Sequence, residues 1–205
     1  MDPLNPAELR VLGALIEKEN TTPEYYPMTL NALVAACNQK SNRWPVSDYD
    51  ERDVTDAIEL LKLRGYAAAI IGNGRVTKYA QRYTEKLNLG RREIAVICVL
   101  ALRGPQTLGE IRGRTERMYE FADLDEIEMV LSKMGDMVRK LPPAPGMKEP
   151  RYAQTLSGEP DIATIQHQGS PVVSLANDRI AALEAEVSRL REEVDELRRR
   201  LEAVL

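Results

Sequence analysis

The chain has 205 residues, of which 43% are apolar and 29% charged, and its formal net charge is −4. This is the composition of a soluble globular protein, and its mild acidity excludes a global attraction to nucleic acid or anionic lipid, so any basic site must be local. No apolar run approaches the ~20 residues of a membrane span, the start Met1-Asp2-Pro3 predicts no secretory signal, and the lone histidine, His167, excludes His-based triads and most zinc sites.

Asn5-Pro6-Ala7-Glu8 reads as a helix start, with a capping Asn, a Pro preset for the first turn and a Glu able to reach back. The helix runs to about Glu19, with Leu9, Leu12, Leu15 and Ile16 on one face. A second helix begins near Thr29 and carries Leu30, Leu33, Val34 and Cys37. A polar loop spans Asn38 to Ser47. A third helix runs from about Asp50 to Arg64, with Val54, Ala57, Ile58 and Leu61 at helical spacing, and Gly65 ends it. Two short strands around Gly72-Asn73-Gly74 then predict a hairpin. Cys37 and Cys98 lie far apart on apolar helix faces, which predicts reduced, cytosolic, structural thiols.

The order then repeats. Ile94, Ile97 and Leu100 mark a first helix, Thr107 opens a second, and Asp123 caps a third that buries Ile127, Val130, Leu131 and Met134. Val138 to Leu141 and Arg151 to Thr155 form a second hairpin. Lys78-Tyr79-Ala80-Gln81 recurs as Arg151-Tyr152-Ala153-Gln154, at an offset of 73 residues that also maps Val54, Ile58 and Leu61 onto Ile127, Leu131 and Met134. Three helices followed by a hairpin is the winged-helix arrangement. The expected fold is mainly α with small β-hairpins (α+β): a first winged-helix domain over 1–86, a second over 87–156, and a flexible linker over 157–174.

The last stretch, 175–205, reads as heptads. Ile180, Val187, Val194 and Leu201 take position a, and Leu183, Leu190, Leu197 and Val204 take position d. β-branched residues at a with Leu at d suit a parallel two-stranded coil. In that register Arg179 meets Glu184, Glu186 meets Arg191 and Glu193 meets Arg198, all opposite in sign, whereas an antiparallel pairing sets Arg179 against Arg200 and Glu186 against Glu193. The tail therefore predicts a homodimer joined by a parallel coiled coil, with a single surface helix, solvated or packed back on the rest of the chain, as the plain alternative.

Four runs of residues resemble the YceH family of uncharacterised bacterial proteins. They are Ala36-Cys37-Asn38-Gln39-Lys40-Ser41-Asn42-Arg43, Arg75-Val76-Thr77-Lys78-Tyr79, Arg103-Gly104-Pro105-Gln106-Thr107 and Arg117-Met118-Tyr119-Glu120-Phe121. The resemblance covers nearly the whole chain. It implies a tandem winged-helix fold with a coiled-coil tail and a cytoplasmic bacterial home, and it carries no catalytic residue over to this sequence.

Function has to be sought in the residues themselves. The third helices are the usual readers of DNA, but their charge opposes that role. Asp48 to Arg64 holds six acids against three bases, and Asp123 to Lys140 five against three, where a helix entering the major groove needs cations. Basic charge gathers elsewhere: the first wing and its exit (Arg75, Lys78, Arg82, Lys86, Arg91, Arg92), the stretch between the first and third helices of the second half (Arg103, Arg112, Arg114, Arg117), and the amide-rich loop holding Lys40 and Arg43. Lys40, Arg43, Arg75, Lys78, Arg82, Arg112, Arg114 and Arg117 are the candidate nucleic-acid contacts, to backbone or minor groove. A solvated charged face is the plain alternative for each. Trp44 and the Arg117–Phe121 run are candidate core or partner anchors. No phosphate-binding glycine loop appears, so no enzymatic activity, metal or cofactor is expected. Two functions remain. The leading one is a dimeric DNA-binding or regulatory protein gripping double-stranded DNA through the first wing and basic loops. The other is a protein-interaction scaffold using acidic winged-helix surfaces, with no DNA bound.

Overall fold

Five of the seven α-helices among the described residues start at a side chain that accepts an otherwise orphaned backbone N–H of the first turn. In the computed structural model, which describes residues 2–71, 76–143 and 147–161, α1 (Pro6–Thr21) begins with a full capping box. Asn5 Oδ1 accepts from the Glu8 amide at 2.9 Å and the Glu8 carboxylate accepts from the Asn5 amide at 2.8 Å. Thr29 caps α2 (Leu30–Cys37). Asp50 caps α3 (Glu51–Leu63), with Asp53 reciprocating. After the short α4 (Tyr83–Lys86) and α5 (Arg91–Arg103), Thr107 caps α6 (Leu108–Thr115), with Glu110 reciprocating, and Asp123 caps α7 (Leu124–Lys133).

The strands are short and antiparallel. β1 (Met28–Thr29), β2 (Ala67–Ile70) and β3 (Lys78–Gln81) form a sheet in the order β1-β3-β2, and β4 (Val138–Leu141) pairs with β5 (Arg151–Gln154). The chain is thus α+β, with small antiparallel sheets beside helices. β1 is absent from the sequence expectation because two residues carry no alternation to read. It pairs Met28 with Tyr79, and the second half repeats the pairing as a single bridge between Gln106 and Tyr152. Tyr152 stands 73 residues after Tyr79, so the internal repeat extends to a third strand position.

The two halves share one core. The described residues fall within a single compact unit, 1–162, in which α1 packs against α5. Every α5 residue from Ile94 to Leu102 is buried, as suits a helix that is apolar all round and covered on all sides. A Cβ on Gly13 would lie 2.8 Å from Leu102 Cδ2, so glycine is what lets the two helices approach. The Trp44 amide donates to Leu102 O at 2.7 Å, and the Leu4 amide to Leu156 O at 2.7 Å, tying the halves further. Among the described residues no helix is long and apolar enough to cross a membrane. The heptads from Ile180 to Leu201 lie outside the described residues.

Candidate functional site

The polar loop after α2 is wired inward. Arg10, on α1, donates to Cys37 O at 3.0 Å, Ser47 Oγ at 3.1 Å and Pro45 O at 2.5 Å. Its pKa is lowered by burial and then by the nearby charge of Arg43. Asn38 receives the Tyr49 amide at 2.9 Å and donates to Tyr49 O at 2.7 Å. Arg43 is buried. Its guanidinium bridges both carboxylate oxygens of Glu17, at 3.0 and 2.5 Å, and donates to Ala36 O and Asn42 O. Arg43 therefore holds the loop on α1 and presents no charge to a ligand. Buried charge demands such a partner set, a demand that sequence spacing alone does not reveal.

What the loop does expose helps form a cleft. Gln39, Ser41 and Asn42 face the C-terminal turn of α1 (Glu17, Lys18, Thr21, Thr22), the end of α5 (Cys98, Val99, Leu102, Arg103) and the α6 end (Arg114, Arg117, Met118), around a space of about 210 Å³. The loop's amides and hydroxyl are thus brought beside Lys18 and the basic residues of the second half, while the loop's own cations, Lys40 and Arg43, do not line the space. Arg103 donates to the side-chain oxygen of Asn42. Its pKa is lowered by burial and then by Arg114, against an upward pull from Glu17 and with a smaller downward push from Arg43. Arg114 donates to Gln106 Oε1 and lies 3.6 Å from Glu110, which also holds Arg151 at 2.8 Å. Burial lowers its pKa more than Glu110 raises it. Arg117 is exposed and joins no hydrogen bond or ion pair among the described residues. Lys18 and Arg103 belong to this site, although Lys18 reads in sequence only as a cation suited to a helix C-terminus.

The other candidates are dispersed. Lys40 and Lys78 are exposed, and Arg75 lies outside the described residues. Arg82 pairs with Glu85 at 3.0 Å. Arg112 donates to Phe121 O and Ala122 O, closing the turn after α6. Lys86 donates to Arg64 O and sits 5.0 Å from the Tyr66 ring, while Arg92 donates to Tyr119 Oη at 2.8 Å and pairs with Glu126 at 3.0 Å. Phe121 is a core anchor, and Met118 is buried with it. Arg82, Lys86 and Arg92 of the basic strip from Arg75 to Arg92 are therefore engaged in local structure.

The third helices turn acids outward. Glu51, Asp53, Asp56 and Glu59 on α3 are exposed, as are Asp125 and Glu128 on α7. Apolar side chains stand among them: Leu63 is 84% exposed and Met129 55%, with Leu60 and Leu124 also uncovered. Their buried faces hold Val54, Ala57, Ile58 and Leu61 in one half and Ile127, Val130 and Leu131 in the other.

Residues 4–147 match the family described as "Protein of unknown function, DUF480". The chain belongs to this family. A UPF0502 protein of Solibacter usitatus is 52% identical over 205 residues, covering 97% of this chain and 98% of that protein. The UPF0502 protein GSU0233 of Geobacter sulfurreducens is 49% identical, covering 91% and 90%, and VFMJ11_A0613 of Aliivibrio fischeri is 46% identical, covering 97% and 96%. YceH is itself a UPF0502 member, so the four matching runs identified the family correctly.

Proposed function

We propose that this chain is a non-enzymatic binding protein of the bacterial cytoplasm. In this reading it is built of two winged-helix units, dimerises through the heptads of 175–205, and holds protein partners on the outward faces of its third helices. One observation carries the reading: where a DNA reader would present mainly cations, the exposed charges of α3 and α7 are mainly acids, outnumbering Arg52, Lys133 and the partly exposed Lys62, and uncovered Leu63 and Met129 stand among them. Such a face repels phosphate and suits a partner with basic and apolar side chains. Cys37 and Cys98 are both buried and unpaired, in keeping with a reducing compartment.

The test places a photo-crosslinking side chain at Leu63 or Met129 of the full-length protein in living cells. Discrete protein adducts that disappear when Glu59 or Glu128 is changed to Lys support the reading. A second reading, grip on DNA backbone, draws support from the exposure of Lys40, Lys78 and Arg117. Anisotropy of a labelled random duplex separates the two. Affinity that falls steeply with salt and is lost in Lys40→Glu/Arg117→Glu, with no adducts at Leu63 or Met129, would replace the scaffold with a DNA-binding protein.

A further inference from the structure

We propose that the cleft between the two halves is a binding site for a phosphate-bearing anion, held by Arg103, Arg114, Arg117 and Lys18. The proposal does not rest on the interaction reading, which concerns other faces. Four of the cleft's lining residues are cationic and one, Glu17, is a carboxylate. Glu17 is already engaged at both oxygens by Arg43, and Lys18 approaches it only to 3.9 Å. Glu110, behind the cleft, is shared between Arg114 and Arg151. No carboxylate among the described residues pairs with Arg103 or Arg117.

Half-burying guanidinium charge costs free energy where nearby carboxylates do not fully offset it, and Glu17 and Glu110 raise the pKa values of Arg103 and Arg114 by less than burial lowers them. The lowered pKa values of Arg103 and Arg114 express that cost, and each is depressed in part by another arginine. An anion seated among them would cancel it. Arginine forks match phosphate oxygens two at a time, and the Thr21, Thr22, Gln39, Ser41 and Asn42 side chains supply neutral polar groups around the same space. The volume of about 210 Å³ falls below the roughly 300–1,000 Å³ of sites that enclose a drug-sized ligand. The cleft therefore fits one or two phosphoryl groups, with the rest of any larger ligand outside. Phosphate chemistry could come from a small phosphorylated molecule or from a nucleic-acid backbone.

Titration calorimetry of the full chain with inorganic pyrophosphate, against chloride at matched ionic strength, tests the assignment. Trp44, the sole tryptophan, hydrogen-bonds through its amide to Leu102 O beside Arg103, so its fluorescence gives a second readout. Pyrophosphate is expected to bind at one site per chain. Arg117→Ala is expected to weaken it roughly tenfold or more, as loss of a hydrogen bond to a charged group would. Because Arg117 is exposed and makes no described contact, this variant keeps the fold, and Lys78→Ala on the distant wing strand serves as the unaffected control. A random duplex added in competition separates the two sources: displacement of pyrophosphate assigns the site to backbone phosphate, and no displacement assigns it to a small phosphorylated ligand. No binding above the chloride control overturns the proposal. So does an Arg117→Ala affinity equal to wild type, or binding of succinate as tight as that of pyrophosphate.

Discussion

Arg43 shows how one charge changes meaning once its surroundings are known. In sequence it sits beside Lys40 in an amide-rich loop, and both are equal candidates for phosphate. In the fold Arg43 has no side-chain exposure and lies 2.5 Å from Glu17, whereas Lys40 is solvated. Removing one partner of a buried pair strands the other, at a cost of about 3–5 kcal/mol, while an exposed lysine contributes within about 0.5 kcal/mol. Urea denaturation should therefore show a large loss for Arg43→Ala and almost none for Lys40→Ala; equal midpoints would mean that Arg43 is solvated after all. Burial also fixes an alkaline limit. The Cys37 thiol is pushed up to about 12 by its apolar surroundings, and burial moves the Tyr26 and Tyr83 hydroxyls upward as well. The folded chain keeps these protons after the unfolded chain has released them, so stability falls as pH rises. This contribution is whole below about pH 9 and is lost progressively toward pH 12. Urea midpoints measured across that window should decline, and the decline should be shallower in Cys37→Ala.

Six of the seven described α-helices, all but the four-residue α4, are legible because their signals are local. Asn5, Thr29, Asp50, Thr107 and Asp123 each accept a backbone N–H three residues on, and each is a residue type whose presence at a helix start can be read without knowing the fold. Asp50→Ala and Asp123→Ala should each lower stability by about 1 kcal/mol, with Asn at either position restoring most of it. Circular dichroism melts would expose a mistaken cap by showing no difference between Ala and Asn. What was not legible is equally physical. β1 is two residues long, and α5 is marked in sequence by Ile94, Ile97 and Leu100 on one face although every residue from Ile94 to Leu102 is buried. The cleft was hidden for the same reason, since nothing near Lys18 in sequence announces Arg117. Burial by a distant segment leaves no local periodicity to detect.

At the scale of the molecule, sequence repetition and physical independence separate. The internal repeat of 73 residues suggests two domains, yet α1 of the first half and α5 of the second lie against each other in one compact unit. Their contact is tight enough to exclude a methyl group: a Cβ on Gly13 would meet Leu102 Cδ2 at 2.8 Å and Cγ at 2.9 Å, and Leu102 is itself buried. Cys98 Sγ lies 3.6 Å from Gly13 O on the same contact. Gly13→Val would gain helix propensity over glycine but overpack this junction, at a cost of about 1–3 kcal/mol. If the halves fold as one cooperative unit, calorimetry of residues 1–162 should show a single transition, and Gly13→Val should shift all of it downward. Separate domains would give two transitions, or one half that melts unchanged in the variant. The distinction matters for the cleft, because its arginines come from the second half and its amides from the first. A junction forced apart by the Gly13→Val substitution should therefore lose pyrophosphate binding even with every cleft side chain intact.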